Sequence, residues 1–291
     1  MDNKGLTLSV IFEAESGNYG EGFGNISTLK KLTRGDGNSY TYISRQALRY
    51  NIVNQLAWDN TQVQAEGKGG VVQYEPMATI TEYPEIDLFG YMKTSKKKED
   101  TIKGGAATRN AVARLSNAIS LEPFKADMDF LTNIGLAKRA SLENNISQSE
   151  IHKSLYSYSL TIDLDKVGVD INDSIELESK EKAKRVQSLL MAIKTLYRDI
   201  KGRRENMSPI FIIGGVYNVK NPFFENRLKV QKNSLNIEMV KDSIEMAGES
   251  TMCGYLKGAL LNNDEIINKL NPNSIKDFFD NICQKIVDYY A

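Results

Sequence analysis

Residues 6–14, LTLSVIFEA, alternate apolar and polar side chains and include β-branched residues, the pattern of a strand. The same alternation returns in SLYSYSLTIDL, 154–164. SPIFIIGGVY, 208–217, is an apolar run closed by two glycines and reads as a buried strand. VVQYEPMATITEY, 71–83, reads as a strand or ribbon with Pro76 at an edge or bulge. The period becomes helical over 44–57, where Leu48, Ile52 and Leu56 recur every four residues behind Ser44, a good N-cap. The strongest helix signal begins at Ser179: Val186, Leu189, Leu190, Ile193, Leu196, Tyr197 and Ile200 keep helical spacing up to Gly202. Residues 263–290 read as two helices split by NPNS.

In order these elements run strand, helix, strand, strand, helix, strand, the split βαβ pattern of ferredoxin-like and RNA-recognition domains. The expectation is an α+β fold, one RNA-recognition-like palm over residues 1–291. Large insertions fall at 15–43, 60–150 and 218–250. There is no internal repeat and no coiled coil.

Length and composition agree with this without narrowing it. The chain has 291 residues, 41% apolar and 25% charged, as an ordinary soluble globular protein does. No run approaches the roughly 18 apolar residues of a membrane span, and the first residues lack a secretory core. Cys253 and Cys283 stand alone, so a reducing cytoplasm is the simplest setting. His152 is the only histidine, which weakens any Ser-His-Asp reading; it is expected at the surface or a strand edge. No paired carboxylates or Cys/His clusters have metal-ligand spacing, so no cofactor is expected.

Charge changes the picture more. The total is balanced, 37 basic against 37 acidic residues, which argues against coating nucleic acid by bulk charge. Yet the balance is uneven along the chain: Lys30, Lys31, Arg34, Arg45 and Arg49 face a single acid, Asp36, within 25–58. Arg45 and Arg49 also occupy the first turns of the 44–57 helix, where the dipole disfavours cations by about 0.3–1 kcal/mol. Something negative should compensate. It is either an internal carboxylate such as Glu13 or Glu15, or an external anion held by the arginines and the open N–H groups of the helix start.

Other stretches carry weaker signals. The segment 15–40 holds six glycines, suits a loop lying along a ligand, and matches neither phosphate-cradle nor dinucleotide motifs. KTSKKKEDTIKGGAATRNAVAR is either a solvated loop or an arm that orders on a polyanion; Arg109 and Arg114 look more fixed within it. Phe223 and Phe224, side by side beside Asn221 and Pro222, are of a kind found more often in a core or interface than as a base-stacking platform. Asp87 before LFG resembles a kinase motif only loosely, with no other kinase part present.

EAESGNYGEGFGNISTLKK, YTYISRQALRYNI, DLFGYM and TRNAVARLSNAISL, in this order, resemble the DevR-like backbone subunit of type I-B CRISPR surveillance (Cascade) complexes, of the Cas-seven superfamily. The resemblance spans most of residues 6–217, and SRQALRY and DLFGYM are its most specific parts. It implies a non-catalytic subunit that polymerises along a CRISPR RNA and presents the guide for pairing with target DNA, beside other type I-B effector subunits and away from any membrane. It makes Ser44, Arg45 and Arg49 phosphate contacts, with Asn18, Asn25, Lys30 and Lys31 as a flank of the same groove. Lys96, Lys97, Lys98, Arg109 and Arg114 become a finger touching guide or target strand. The thumb that displaces a base is assigned to 214–230, with Phe223 and Phe224 as its wedge. Two alternatives stand beside it: a metal-dependent RNA-cleaving subunit using Asp36, and a ligand-binding regulatory protein of the same fold.

Overall fold

The computed structural model describes residues 4–15, 17–20, 22, 24–65, 70–94 and 106–291. The strands and helices named below are β1 (Gly5–Ala14), β2 (Lys31–Thr33), β3 (Ser39–Ile43), α1 (Arg45–Gln55), α2 (Pro84–Phe89), β4 (Ala113–Leu115), β5 (Ala118–Ser120), β6 (Asp127–Thr132), α3 (Ile134–Ala140), β7 (Ile146–Ile151) and β8 (Ser154–Asp163). They continue with α4 (Ser179–Lys194), β9 (Tyr197–Ile200), β10 (Arg203–Asn206), β11 (Phe211–Tyr217), α5 (Ile237–Ala247), β12 (Met252–Tyr255), α6 (Asn263–Leu270) and α7 (Ile275–Tyr290).

The main sheet runs β12-β11-β1-β8-β5-β3-β2, with β4 also on β8. β1 is antiparallel to both β8 and β11, and β8 is antiparallel to β4 and β5. Strand β1, helix α1, the β4/β5 strand, β8, α4 and β11 therefore follow the ferredoxin-like succession, with the expected antiparallel order β11-β1-β8-β5.

Alternation along the strands separates two cores. Leu6, Leu8, Val10 and Phe12 of β1 join Tyr156, Tyr158, Leu160 and Ile162 of β8 against α1, α4 and α7. On the opposite face, Ile11, Leu155, Phe211 and Ile213 meet Phe224, Leu228, Val240, Leu260 and Ile266 from the C-terminal part of the chain. The helix face thus has one layer and the other face a second, so β1 is buried on both sides. Gly214 of β11 has φ +156°, and a Cβ there would stand 2.0 Å from the Thr7 carbonyl oxygen, so only glycine lets β11 sit this close to β1.

The helix expected over 179–202 stops at Lys194. Leu196 is still buried, but β9 and β10 then pair as a hairpin, Tyr197 opposite Asn206. Lys201 and Gly202 at its turn both have positive φ, 50° and 78°. Consecutive positive-φ residues favour a tight two-residue hairpin turn, and this local geometry prevails over the helical spacing of Tyr197 and Ile200. The expected ribbon at 71–83 reduces to Val72–Tyr74, followed by turns leading to Pro84 at the start of α2.

Behind α2 lies a buried charge. The Asp87 carboxylate, 0% exposed, accepts from Arg109 at 2.7 Å, from Arg185 at 3.0 Å and from the Gly168 N–H at 2.9 Å. His152 is buried rather than at the surface. Its Nδ1 lies 2.7 Å from the Thr41 hydroxyl and its ring meets the edge of Phe124. Burial holds its pKa below the usual imidazole value, partly offset by Glu122.

Two expectations follow. Asp87→Ala strips buried Arg185 and Arg109 of their shared carboxylate and lowers urea-unfolding stability by about 3–5 kcal/mol; an unchanged midpoint would show that the network does not hold the fold. His152 titrates with a lowered folded pKa, so the unfolded chain takes up its proton first as pH falls. Its contribution is intact above the ordinary histidine value and is lost below it. The unfolding midpoint should drop between pH 7.5 and 5.5, and His152→Gln should flatten that part of the profile.

Candidate nucleic-acid interface

The site begins with a defect in strand pairing. Leu115 stands opposite Leu160 and Ile119 opposite Ser157, so Ser116, Asn117 and Ala118 face only Ser159 and Tyr158. This extra residue is a β-bulge, and bulges re-aim side chains. The Ser116 hydroxyl accepts the Ser159 N–H, and the Asn117 side-chain oxygen accepts the Arg45 N–H at 2.9 Å, at the first residue of α1.

Ser44 caps α1 as its sequence predicts: its hydroxyl accepts the Ala47 N–H at 3.3 Å. That hydroxyl donates in turn to the Asn18 side-chain oxygen at 2.8 Å, and the Ser44 N–H does so at 3.3 Å. Asn18 therefore fixes the cap from the glycine-bearing loop, while the bulge fixes Arg45 from the other side.

Between α1, Phe89 of α2 and β4 lies an open groove of about 440 Å³, lined by Arg45, Gln46, Arg49, Phe89, Arg114 and Leu115 among others. Its three arginines differ. Arg49 donates to Glu85 at 2.8 Å and to the Tyr74 hydroxyl at 2.9 Å, with its guanidinium over the Phe89 ring at 5.0 Å. The internal carboxylate that compensates it is thus Glu85 on α2, not Glu13 or Glu15. Arg114 makes two parallel 3.0 Å bonds to Asp163 and remains 46% exposed at its side chain. Burial raises the Asp163 pKa, but Arg114 and neighbouring lysines outweigh it and hold the carboxyl below its usual range. Arg45 is exposed, and among the described residues its side chain has no ionic partner. The first turn of α1 contains no acid. Among the described residues the groove therefore presents one guanidinium without an ionic partner, two held in place by carboxylates, and a helix N-terminus. That arrangement suits an anion.

The remaining expected residues are placed variously. Lys31 pairs with Glu150 at 2.7 Å and lies over the Phe124 ring, away from the groove. Lys30 has no ion pair among the described residues. Asn25 is exposed and donates to the Ile146 carbonyl at 3.5 Å, so the glycine-bearing loop follows β7. Arg109 departs from expectation: its side chain is 9% exposed and donates to Asp87 and to the carbonyls of Val169 and Lys166, because it crosslinks its own segment, α2 and the turn at 166–169. Lys96, Lys97 and Lys98 lie outside the described residues. Phe224 is 1% exposed in the second core and Phe223 packs edge-on against Tyr217, so this aromatic pair faces inward and presents no wedge. Asp36 accepts from the Tyr40 hydroxyl at 2.5 Å and the Asn38 N–H at 3.0 Å within the β2–β3 hairpin. Among the described residues no three His, Cys, Asp or Glu side chains gather as a metal site, and no helix is long and apolar enough to cross a membrane.

Sequence reasoning missed Gln46, Phe89 and Asn117. Gln46 sits between two arginines already singled out and was within reach; Asn117 depends on a bulge that no spacing announces.

Known proteins match on this background. The family described as "CRISPR-associated negative auto-regulator DevR/Csa2" matches residues 6–234. The "CRISPR-associated protein Cas7/Cst2/DevR" of Myxococcus xanthus is 25% identical over 152 residues, 48% of this chain and 50% of that protein. The chain thus spans about half the length of the curated relative it matches. Two solved chains share the fold. One, from a "CRISPR RNA-guided surveillance complex", has a TM-score of 0.60 at 12% identity, covering 99% of this chain and 100% of its own. The other, titled "CRISPR RNA-guided surveillance complex, pre-nicking", has a TM-score of 0.60 at 11% identity, covering 97% and 100%. With most of its length under one family pattern and the palm built as that pattern implies, the chain belongs to the CRISPR-associated DevR/Csa2 family.

Proposed function

We propose that the chain is a non-catalytic RNA-binding subunit that holds the backbone of a CRISPR RNA in the Arg45 groove. Copies assemble side by side along the guide in a type I-B effector complex and leave its bases open to pair with target DNA. The observation that carries this reading is Arg45, a cation at a helix N-terminus with no counter-charge among the described residues, beside two anchored guanidinium groups. Family membership and the RNA-recognition-like palm support it. In this division of labour the protein grips phosphates and shape, and base pairing reads sequence. Balanced net charge suits close packing of neighbours, since a uniformly basic subunit would repel its copies.

The contact between copies is assigned to the hairpin β6–β7 with α3 at its tip. Phe130, Leu131, Ile134, Leu136 and Leu142 are all more than half exposed there. Single exposed apolar residues are ordinary, but a cluster at the end of a projecting hairpin marks an interaction surface. On this reading the thumb is 127–151 rather than 214–230, where Phe224 lies in the core.

Arg45→Ala should weaken binding of unrelated single-stranded RNAs alike, about 3- to 10-fold at low salt, and make the salt dependence shallower. Undiminished affinity in fluorescence anisotropy would remove Arg45 from the groove's function. Leu131→Asp with Leu136→Asp should leave binding of a short RNA intact while reducing the mass of particles formed on a long one, read by light scattering. A discrete RNA-free dimer, purified with a CRISPR array and the neighbouring genes co-expressed, would overturn the proposal and favour a regulatory role.

A further inference from the structure

A second, smaller cavity of about 160 Å³ lies on the sheet face away from α4 and α7. Ile119 and Ser157 form its floor, the bulge residues Ser116 and Asn117 one wall, and Glu225, Asn226 and Lys229 another, with Arg34 reaching over from the β2–β3 hairpin. That is room for several waters, enough for one phosphate group with part of its hydration.

The charges here are arranged against the stability of the unliganded protein. Arg34 rests on the Tyr40 ring at 4.5 Å, and among the described residues neither Arg34 nor Lys229 has an ion pair. Burial lowers the Lys229 pKa, and the positive charge of Arg34 lowers it further. Glu225, the one carboxylate in the lining, pairs with neither cation. Two cations gathered in a recess whose one lining carboxylate pairs with neither are relieved by an anion entering between them. Donors stand ready: among the described residues the Ser157 hydroxyl has no partner, and Asn117 uses its oxygen on Arg45 while its NH₂ group makes no bond.

We propose that this pocket binds one phosphate of a single-stranded nucleic acid, a second backbone contact reached from the Arg45 groove across the bulge. Asn117 joins the two sites, its oxygen at the start of α1 and its residue in the pocket wall. The inference rests on the reading of the chain as a backbone binder and extends the path of the strand onto the open part of the sheet.

The test uses the full chain with a fluorescein-labelled single-stranded RNA of mixed sequence, followed by anisotropy over a salt series. Lys229→Gln should weaken binding about 3- to 10-fold and make the slope of log K against log salt shallower by about 0.7, the loss of one phosphate contact to a single strand. Lys229→Arg should restore most of it. Arg34→Gln, on an exposed hairpin, carries the same test where Lys229→Gln does not fold. Wild-type affinity and slope in the substituted protein would overturn the pocket while leaving the groove in place. Should the wild-type chain bind no RNA, the proposed function fails, and inorganic phosphate decides the pocket. A rise in the Lys229 pKa on adding phosphate, followed by carbon-13 NMR of its ε-carbon and lost in Arg34→Gln, supports a phosphate site; no rise overturns it.

Discussion

A carboxylate with no exposed surface, Asp87, determines how the palm meets the segments around it. Its oxygens take Arg109 and Arg185, and its position fixes the Gly168 turn. Arg185 is further bound to Glu181 and to the carbonyls of Ile80 and Thr81, so the buried positive charge is distributed over several acceptors. A charge withdrawn from water is tolerable only with geometry of this quality. Helix α2 is locked to α4 as a result. Because Glu85 and Phe89 belong to the same short helix, the partners of Arg49 are locked with it.

That chain of constraint explains why the arginines are unequal. Arg109 is consumed by the scaffold. Arg49 and Arg114 are held at one edge by Glu85 and Asp163 but still line the groove. Arg45 is positioned through its backbone by Asn117, and its exposed side chain has no ionic partner among the described residues. A cation at a helix N-terminus costs about 0.3–1 kcal/mol, less than one good charge-assisted hydrogen bond returns. Such an arrangement is weakly unfavourable alone and favourable once an anion arrives.

Much of the fold was legible from periodicity. β1, β8 and β11 read correctly because alternation or an apolar run is a local consequence of facing a core. α1 read correctly because Ser44 caps it and Leu48 and Ile52 share a face. The helix at 179 was read too long, since Leu196, Tyr197 and Ile200 fit its spacing while the Lys201–Gly202 turn folds the chain back. Helix α5 went unread inside a presumed insertion. Of the site, the pairing of Arg45 with Arg49 was visible as a violation of the dipole rule. The separation of Arg109 from Arg114 was not, because five residues of sequence place one under α2 and the other on the open edge of β4.

Residue order alone carries the α+β succession, the cap at Ser44, the clustering of basic residues near the first helix and the family blocks. These depend on short-range propensity and on which side chains neighbour each other along the chain. It took the folded chain to show that Glu85 neutralises Arg49, that Phe224 belongs to a core, that a bulge carries Asn117 to the start of α1, and that Arg34 and Lys229 share a pocket. Those pairs lie tens to hundreds of residues apart, and sheet register and burial alone bring them within reach of one another's charge.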